Sequence, residues 1–365
     1  MTSRERILAA INHQSTDCVP FSLGFGINEP VKIELMDDLG FKTMSELDAY
    51  LNTHSDLRWV QPKYIGPDTR CCYDVNGVYT DAWGIKRRPV HYGSQKGAFY
   101  SEICEYPLAN IESVTELDDF IWPSVDWYDF SVLPERIFDA NKGGECAIIM
   151  GNGNIFETGW YMRGFEQMLL DFMLEPELAD AILERVTDFF VEYFTAALDV
   201  TNKNGGVPVD IIFTADDIAG QEGLLLSLDM WEKFIKPKHK RLNKILHQYG
   251  VKIMYHSDGA VMEALDGFVD MGIDILEALQ FDAKGMDAAV MKQRVGDRLC
   301  FHGGISVQST LPYGTPIDVH MEVEERVRVL GYNGGYILAP SHAIQAGTPV
   351  ENVMAFLSYY KNGML

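Results

Sequence analysis

Short apolar runs that alternate with longer amphipathic stretches restrict this chain to very few folds. Apolar runs at 146–150, 210–214, 251–256, 273–277, 299–303 and 335–339 are each followed by a stretch of helical periodicity. Strand-then-helix order of this kind calls for parallel strands joined by helical crossovers. A further strand is expected at 19–25. Leu178, Ile182, Val186 and Phe189 form one helical stripe, and Val319, Val323, Val327 and Leu330 form another that stops at Gly331. Residues 60–135 break the rhythm, because Tyr, Trp, Gly and Pro dominate there and read as hairpins and loops. Trp83, Arg87 and Arg88 in that stretch fit a packed hairpin with exposed charge better than a lid. The pattern predicts an α/β chain, a single (β/α)8 barrel of the TIM type over 1–365, with one excursion from the barrel in its N-terminal third.

In such a barrel the reactive groups gather where strands end and loops begin. The run at 210–213 leads into TADD, with Asp216 and Asp217, and the run at 251–255 into HSDG, with His256, Ser257 and Asp258. The next runs lead to Glu277 and Gln280, to His302 and to His342. Asp and Ser also cap the helix that follows a strand, and a lone His is often structural, so no one position is decisive. Five strand ends converging on one mouth are harder to read as caps. The set suits a metal held by imidazole and carboxylate, or a metal-free site with an Asp beside a His. Nucleophilic catalysis by Ser257 is disfavoured, since neighbours on a strand point to opposite faces and no GxSxG elbow is present. GNGNIFETG at 151–159 lacks both GxGxxG and the Walker pattern, which leaves a turn that brings backbone near a ligand or a plain tight turn.

Charge removes other classes. Lys and Arg number 30 against 53 Asp and Glu, a formal net charge of −23. That field repels phosphate backbones and anionic lipid, so neither nucleic acid nor a membrane is an expected partner. The 6 cysteines are scattered with no CxxC pair, as in a reduced cytoplasm. The opening MTSRERILAAINH reads as a charged helix with Thr2 and Glu5 in capping-box spacing, not as a leader.

Several segments carry a resemblance. TSRERILAAINHQSTDCVPF, YPLANIESVTELDDFIWP, FTADDIAGQEGLLLSLDMWEKFIKP, KIMYHSDGAV, FHGGISVQSTLPYGTPIDV and GGYILAPSHAIQAGTPVENV together make the chain similar to the uroporphyrinogen decarboxylase superfamily. That superfamily also holds corrinoid-dependent methyltransferases, and the resemblance implies one (β/α)8 barrel. True decarboxylases carry an Arg-rich MRQAGR signature after the first strand, whereas residues 22–30 here read SLGFGINEP, with no Arg. A substrate with eight carboxylates would lose its clamp. The coenzyme M branch holds zinc with His-x-Cys and a distant Cys. The matching positions here are His256-Ser257-Asp258 and, late in the chain, His342. A His/Asp/His set would leave a harder zinc, suited to an ether or alcohol oxygen.

The sequence therefore predicts a zinc-dependent methyltransferase that moves a methyl group from a methoxylated or methylated small molecule to a corrinoid (cobalamin) carried on a partner protein. His256, Asp258 and His342 are the expected metal ligands. Asp217, Glu277 and His302 are the expected catalytic groups, orienting substrate or moving protons. No DxHxxG signature of a corrinoid-binding domain occurs in the chain, so the cofactor must arrive on another protein. The alternatives are a metal-free decarboxylase or lyase acting on another carboxylated compound, in which His342 and an Asp carry the chemistry, and a non-catalytic tetrapyrrole-binding barrel.

Overall fold

The computed structural model describes residues 1–91, 99–141, 145–203 and 206–362. Seven parallel strands form one continuous sheet: β1 (Leu57–Val60), β2 (Ala147–Asn154), β3 (Ile211–Ala215), β4 (Lys252–His256), β5 (Ile275–Ala278), β6 (Cys300–Ile305) and β7 (Tyr336–Pro340). Each pairs with the next in chain order, and helices fill the connections. Phe21 supplies the eighth stave. It bridges in parallel to Leu338 on β7, and its carbonyl accepts from Asp56 N at 2.8 Å at the foot of β1. The barrel is thereby closed.

The expected strand at 19–25 thus shrinks to a single bridge. Gly24 and Gly26 have φ of 55° and 84°, a left-handed pair that interrupts the extended backbone between Phe21 and Ile27. Phe25 is carried between them over the barrel mouth. In the opposite direction, β1 is a strand that the pattern did not show. Its four residues include Arg58, whose guanidinium donates to the carbonyls of Asn52, Ser55 and Leu57, so the run has too little apolar character to stand out.

Two apolar layers hold the fold. The inner one joins Leu57, Ile149, Ile211, Phe213, Met254, Ile275, Cys300 and Ile337 to Ile7, Ala10 and Ile11 of the first helix, Ser3–Ile11, which plugs the foot of the barrel. Thr2 and Glu5 close the expected capping box on that helix. The outer layer packs the sheet against the helices, including the expected stripe Leu178, Ile182, Val186 and Phe189 on Pro176–Thr201. The excursion forms a four-stranded antiparallel sheet and a short two-stranded pair. Trp83 packs there against Phe189 and Phe190 at ring distances of 4.9 and 5.7 Å. Among the described residues, no helix is long and apolar enough to cross a membrane.

Asp56 clasps the closure. Fully buried, it accepts from Phe21 N at 2.9 Å, Arg6 Nη1 at 3.0 Å and Tyr360 Oη at 3.0 Å, tying together both ends of the chain and the Phe21 stave. Asp56→Asn keeps an acceptor for Phe21 but removes the charge facing Arg6, and should lower stability by about 2 kcal/mol. A shifted urea midpoint would show this, and an unchanged midpoint would mean that the clasp contributes nothing.

Candidate active site

Register across three adjacent strands decides which polar side chains meet. His256 on β4 stands beside Glu277 on β5, and Glu277 beside His302 on β6. Met254, Ile275 and Cys300, two residues earlier on the same strands, face the inner apolar layer. Alternation therefore turns the three polar residues inward too, as one row above an apolar floor. The period carries one step further. Asp217 follows inward Ala215 by two residues and Asp258 follows His256 by two, so two carboxylates rim the row.

The sites are coupled through His256. Its Nδ1 pairs with Glu277 Oε2, while its Nε2 lies 3.4 Å from Asp217 Oδ1 and 4.0 Å from Asp258 Oδ2. Asp258 N donates to Asp217 Oδ1 at 2.8 Å, fixing one rim carboxylate against the other. His302 Nδ1 is 3.6 Å from Glu277 Oε1, and neither nitrogen of this buried ring makes a hydrogen bond. His342 Nε2 is 3.9 Å from Asp258 Oδ2, on a half-buried side chain beyond β7. Gln280 accepts from Gly259 N at 2.9 Å and so pins the loop that carries Asp258.

Carboxylates outnumber imidazoles around His256, so the cluster favours added positive charge. Burial disfavours the charged imidazole of His256, but the Glu277 charge and the bonds to Asp217 and Glu277 outweigh it and hold the ring's pKa well above the ordinary value. Burial pushes Glu277 up, yet the charge and hydrogen bond of His256 bring it down to about 2. Asp217 is also desolvated, and its bond to His256 and that ring's charge hold it below the usual carboxylate range. Asp258 is raised, by burial and by the Asp217 charge. The site demands a cation, which a proton or a metal ion can supply.

The donor set fits a divalent ion. Asp217, His256 and Asp258 each offer one ligand atom, all within 4.8 Å of one another. Glu277 on Nδ1 fixes the His256 tautomer that leaves Nε2 free to bind, the carboxylate–histidine arrangement common behind metal ligands. The tight group therefore contains Asp217, expected as a catalytic group, while His342, expected as a ligand, stands just outside it.

The family model described as uroporphyrinogen decarboxylase (URO-D) matches residues 2–363. The chain belongs to the uroporphyrinogen decarboxylase family. Among its relatives, the methylated-thiol–coenzyme M methyltransferase of Methanosarcina mazei is 26% identical over 202 residues, which covers 55% of this chain and 49% of that protein. Uroporphyrinogen decarboxylase 2, chloroplastic, of Oryza sativa subsp. japonica is 23% identical over 265 residues, covering 70% of this chain and 62% of that one. The chain thus matches about half to three fifths of those relatives' lengths. A solved methyltransferase from Methanosarcina mazei superposes with a TM-score of 0.68 at 20% identity, over 99% of both chains, and shares the fold.

This family member has one further acid at the site that the sequence did not reveal. Glu157 lies in the first turn of the helix Ile155–Arg163 and is buried, accepting from Asn154 Nδ2 at 2.6 Å and from the Tyr161 hydroxyl. Burial and the charges of Asp217 and Asp216 push its pKa up to about 7. In sequence, Asn154-x-x-Glu157 reads as an ordinary capping box. The actual cap is Asp216, whose Oδ1 accepts from Glu157 N at 2.8 Å and whose Oδ2 meets His239 Nε2 at 2.5 Å. Arg87 of the excursion lies 4.7 Å above the Tyr161 ring, so the excursion touches the wall of the site.

Proposed function

We propose that the chain is a methyltransferase that takes a methyl group from a methoxylated or methylated small molecule and passes it to a corrinoid carried on a separate protein. The observation that carries this reading is His256, with Nδ1 held by Glu277 and Nε2 facing Asp217 and Asp258 at the mouth of a (β/α)8 barrel. The resemblance to the methylated-thiol–coenzyme M methyltransferase supports it. His256, Asp217 and Asp258 would hold zinc, with His342 close enough to join or to receive the substrate. When bound, zinc supplies Lewis acidity at the oxygen or sulfur that the methyl group leaves.

The chain's own residues do the rest. Glu277 orients His256, and buried His302 lies against Glu277 on the far side. Phe25 lies against both His256 and His342, at ring distances of 4.9 and 5.2 Å, and keeps water from that side of the cluster. The cations lining the adjoining cavity are spoken for: Lys32 pairs with Asp48 at 2.7 Å, and Arg58 binds backbone carbonyls. This lining gives uroporphyrinogen no propionate clamp.

The test supplies the metal-loaded protein with methylated donors and either a reduced corrinoid protein or free reduced cobalamin. Methyl transfer should appear as a change in visible absorbance, and incubation with uroporphyrinogen should yield no coproporphyrinogen above background. Failure of every donor, with metal bound and acceptor reduced, would end the methyltransferase reading. Rapid decarboxylation of uroporphyrinogen would replace it with the family's other chemistry.

A further inference from the structure

A cavity of about 1220 Å³ runs along the seam between the Phe21 stave and β1, from Ser3 and Cys146 at the foot of the barrel to Phe25 and Phe213 at its mouth. Phe25, Trp59 and Phe213 line it there. Phe213 is buried and forms a floor. Phe25 and Trp59 stand on that floor edge-on, at ring distances of 5.6 and 5.3 Å. Both walls remain open to solvent, Phe25 at 39% and Trp59 at 42% exposure, although most large apolar side chains near the barrel axis are sealed. Leaving two such rings wet beside a polar cluster forgoes burial that the fold could have used. Each is held in place by the backbone, Trp59 by the pairing of β1 with β2 and Phe25 by its left-handed glycine flanks.

We propose that Phe25, Trp59 and Phe213 form the binding site for the planar aromatic ring of the methyl donor. The assignment rests on the methyl-transfer reading for the group that the ring carries. Geometry supports it directly. The Phe25 ring touches His256 and His342, so a flat ligand laid against Phe25 puts its substituent within one ring's width of Asp217, His256 and Asp258. Flat rings pack edge-on or offset against such walls, and each aromatic pair adds a few-fold to about tenfold in affinity beyond apolar contact alone. The cavity's engaged cations and the −23 net charge favour an uncharged ring over an anionic one. Asn152, also on the lining and exposed, offers an amide to ring substituents.

Titration calorimetry with methoxybenzene and methoxycyclohexane tests the assignment in the full chain without any corrinoid. Methoxybenzene should bind about tenfold tighter, and Phe25→Leu or Trp59→Leu should each erase most of that preference. The preference is a ratio within one protein, so a partial loss of folded material leaves it readable. Equal affinities in the native chain, or an unchanged preference in both variants, would overturn the ring site. A clear preference in a chain that transfers no methyl group would leave the ring site standing and remove the methyl-transfer reading. Transfer from saturated ethers, undiminished in both variants, would do the reverse.

Discussion

His256→Ala should strip the site of metal and lower methyl transfer by about a thousandfold or more, to background. His256 is the one member of the group whose Nε2 faces both rim carboxylates, and its other nitrogen is fixed by Glu277. Removing the ring leaves Asp217 and Asp258 facing each other with no neutral donor between them, a pair that binds hard cations loosely and zinc poorly. Glu277→Gln is the graded companion. Its amide oxygen still accepts from Nδ1–H, but the ligand loses the polarising charge behind it, and metal affinity should fall by about 10 to 100-fold. His342→Ala separates two readings of the rim. If His342 is a fourth donor, it should weaken metal binding about as much as Glu277→Gln. If it receives the substrate, metal content should hold while transfer falls. Elemental analysis of protein purified without chelators, followed by competition with a chromophoric chelator, reads all three variants. Native-like zinc content in His256→Ala would remove the proposed centre.

The barrel was readable because parallel strands covered on both faces must be nearly continuous apolar runs, and six such runs stand clear of their surroundings. Their polar ends were readable for the same reason, as His256, Glu277 and His302 each break an apolar run at its last turn inward. What pattern could not give was register. Side-by-side placement of those three residues depends on strand pairing that no local signal records. Strand alternation alone would have placed Asp217 with Asp258, since both lie two residues beyond an inward position. His342 lies in a loop past Pro340, where alternation no longer applies, and its distance from the group is set by tertiary packing. Phe25 and Trp59 were invisible as site residues, the first because a glycine turn overrides its apparent strand, the second because β1 hides beside the excursion. Their meeting over Phe213 is a product of barrel closure, which joins chain segments far apart in sequence.

Glu157 offers the sharpest test of how the site's charges are arranged, because its effect on stability changes with pH in a direction that can be derived. The carboxyl is buried at 6% exposure and its pKa is pushed up to about 7, chiefly by burial and then by Asp217 and Asp216. The ordinary value is 4.5, so between the two the folded chain keeps a proton that the unfolded chain releases. Stability on Glu157's account is therefore full below pH 4.5 and declines as pH rises toward 7, where the loss levels off at about 3 kcal/mol. Gln has no proton to lose and still accepts from the Tyr161 hydroxyl. Measured on metal-free protein, Glu157→Gln should therefore gain about 2 to 3 kcal/mol relative to the native chain between pH ~5 and ~8. Taking the difference between the two proteins cancels the titration of shared groups that do not interact with Glu157. Urea denaturation at the two pH values supplies the comparison. A gap between variant and native chain that stays constant would show that Glu157 is ionised throughout, and that burial and the charges of Asp217 and Asp216 do not raise its pKa.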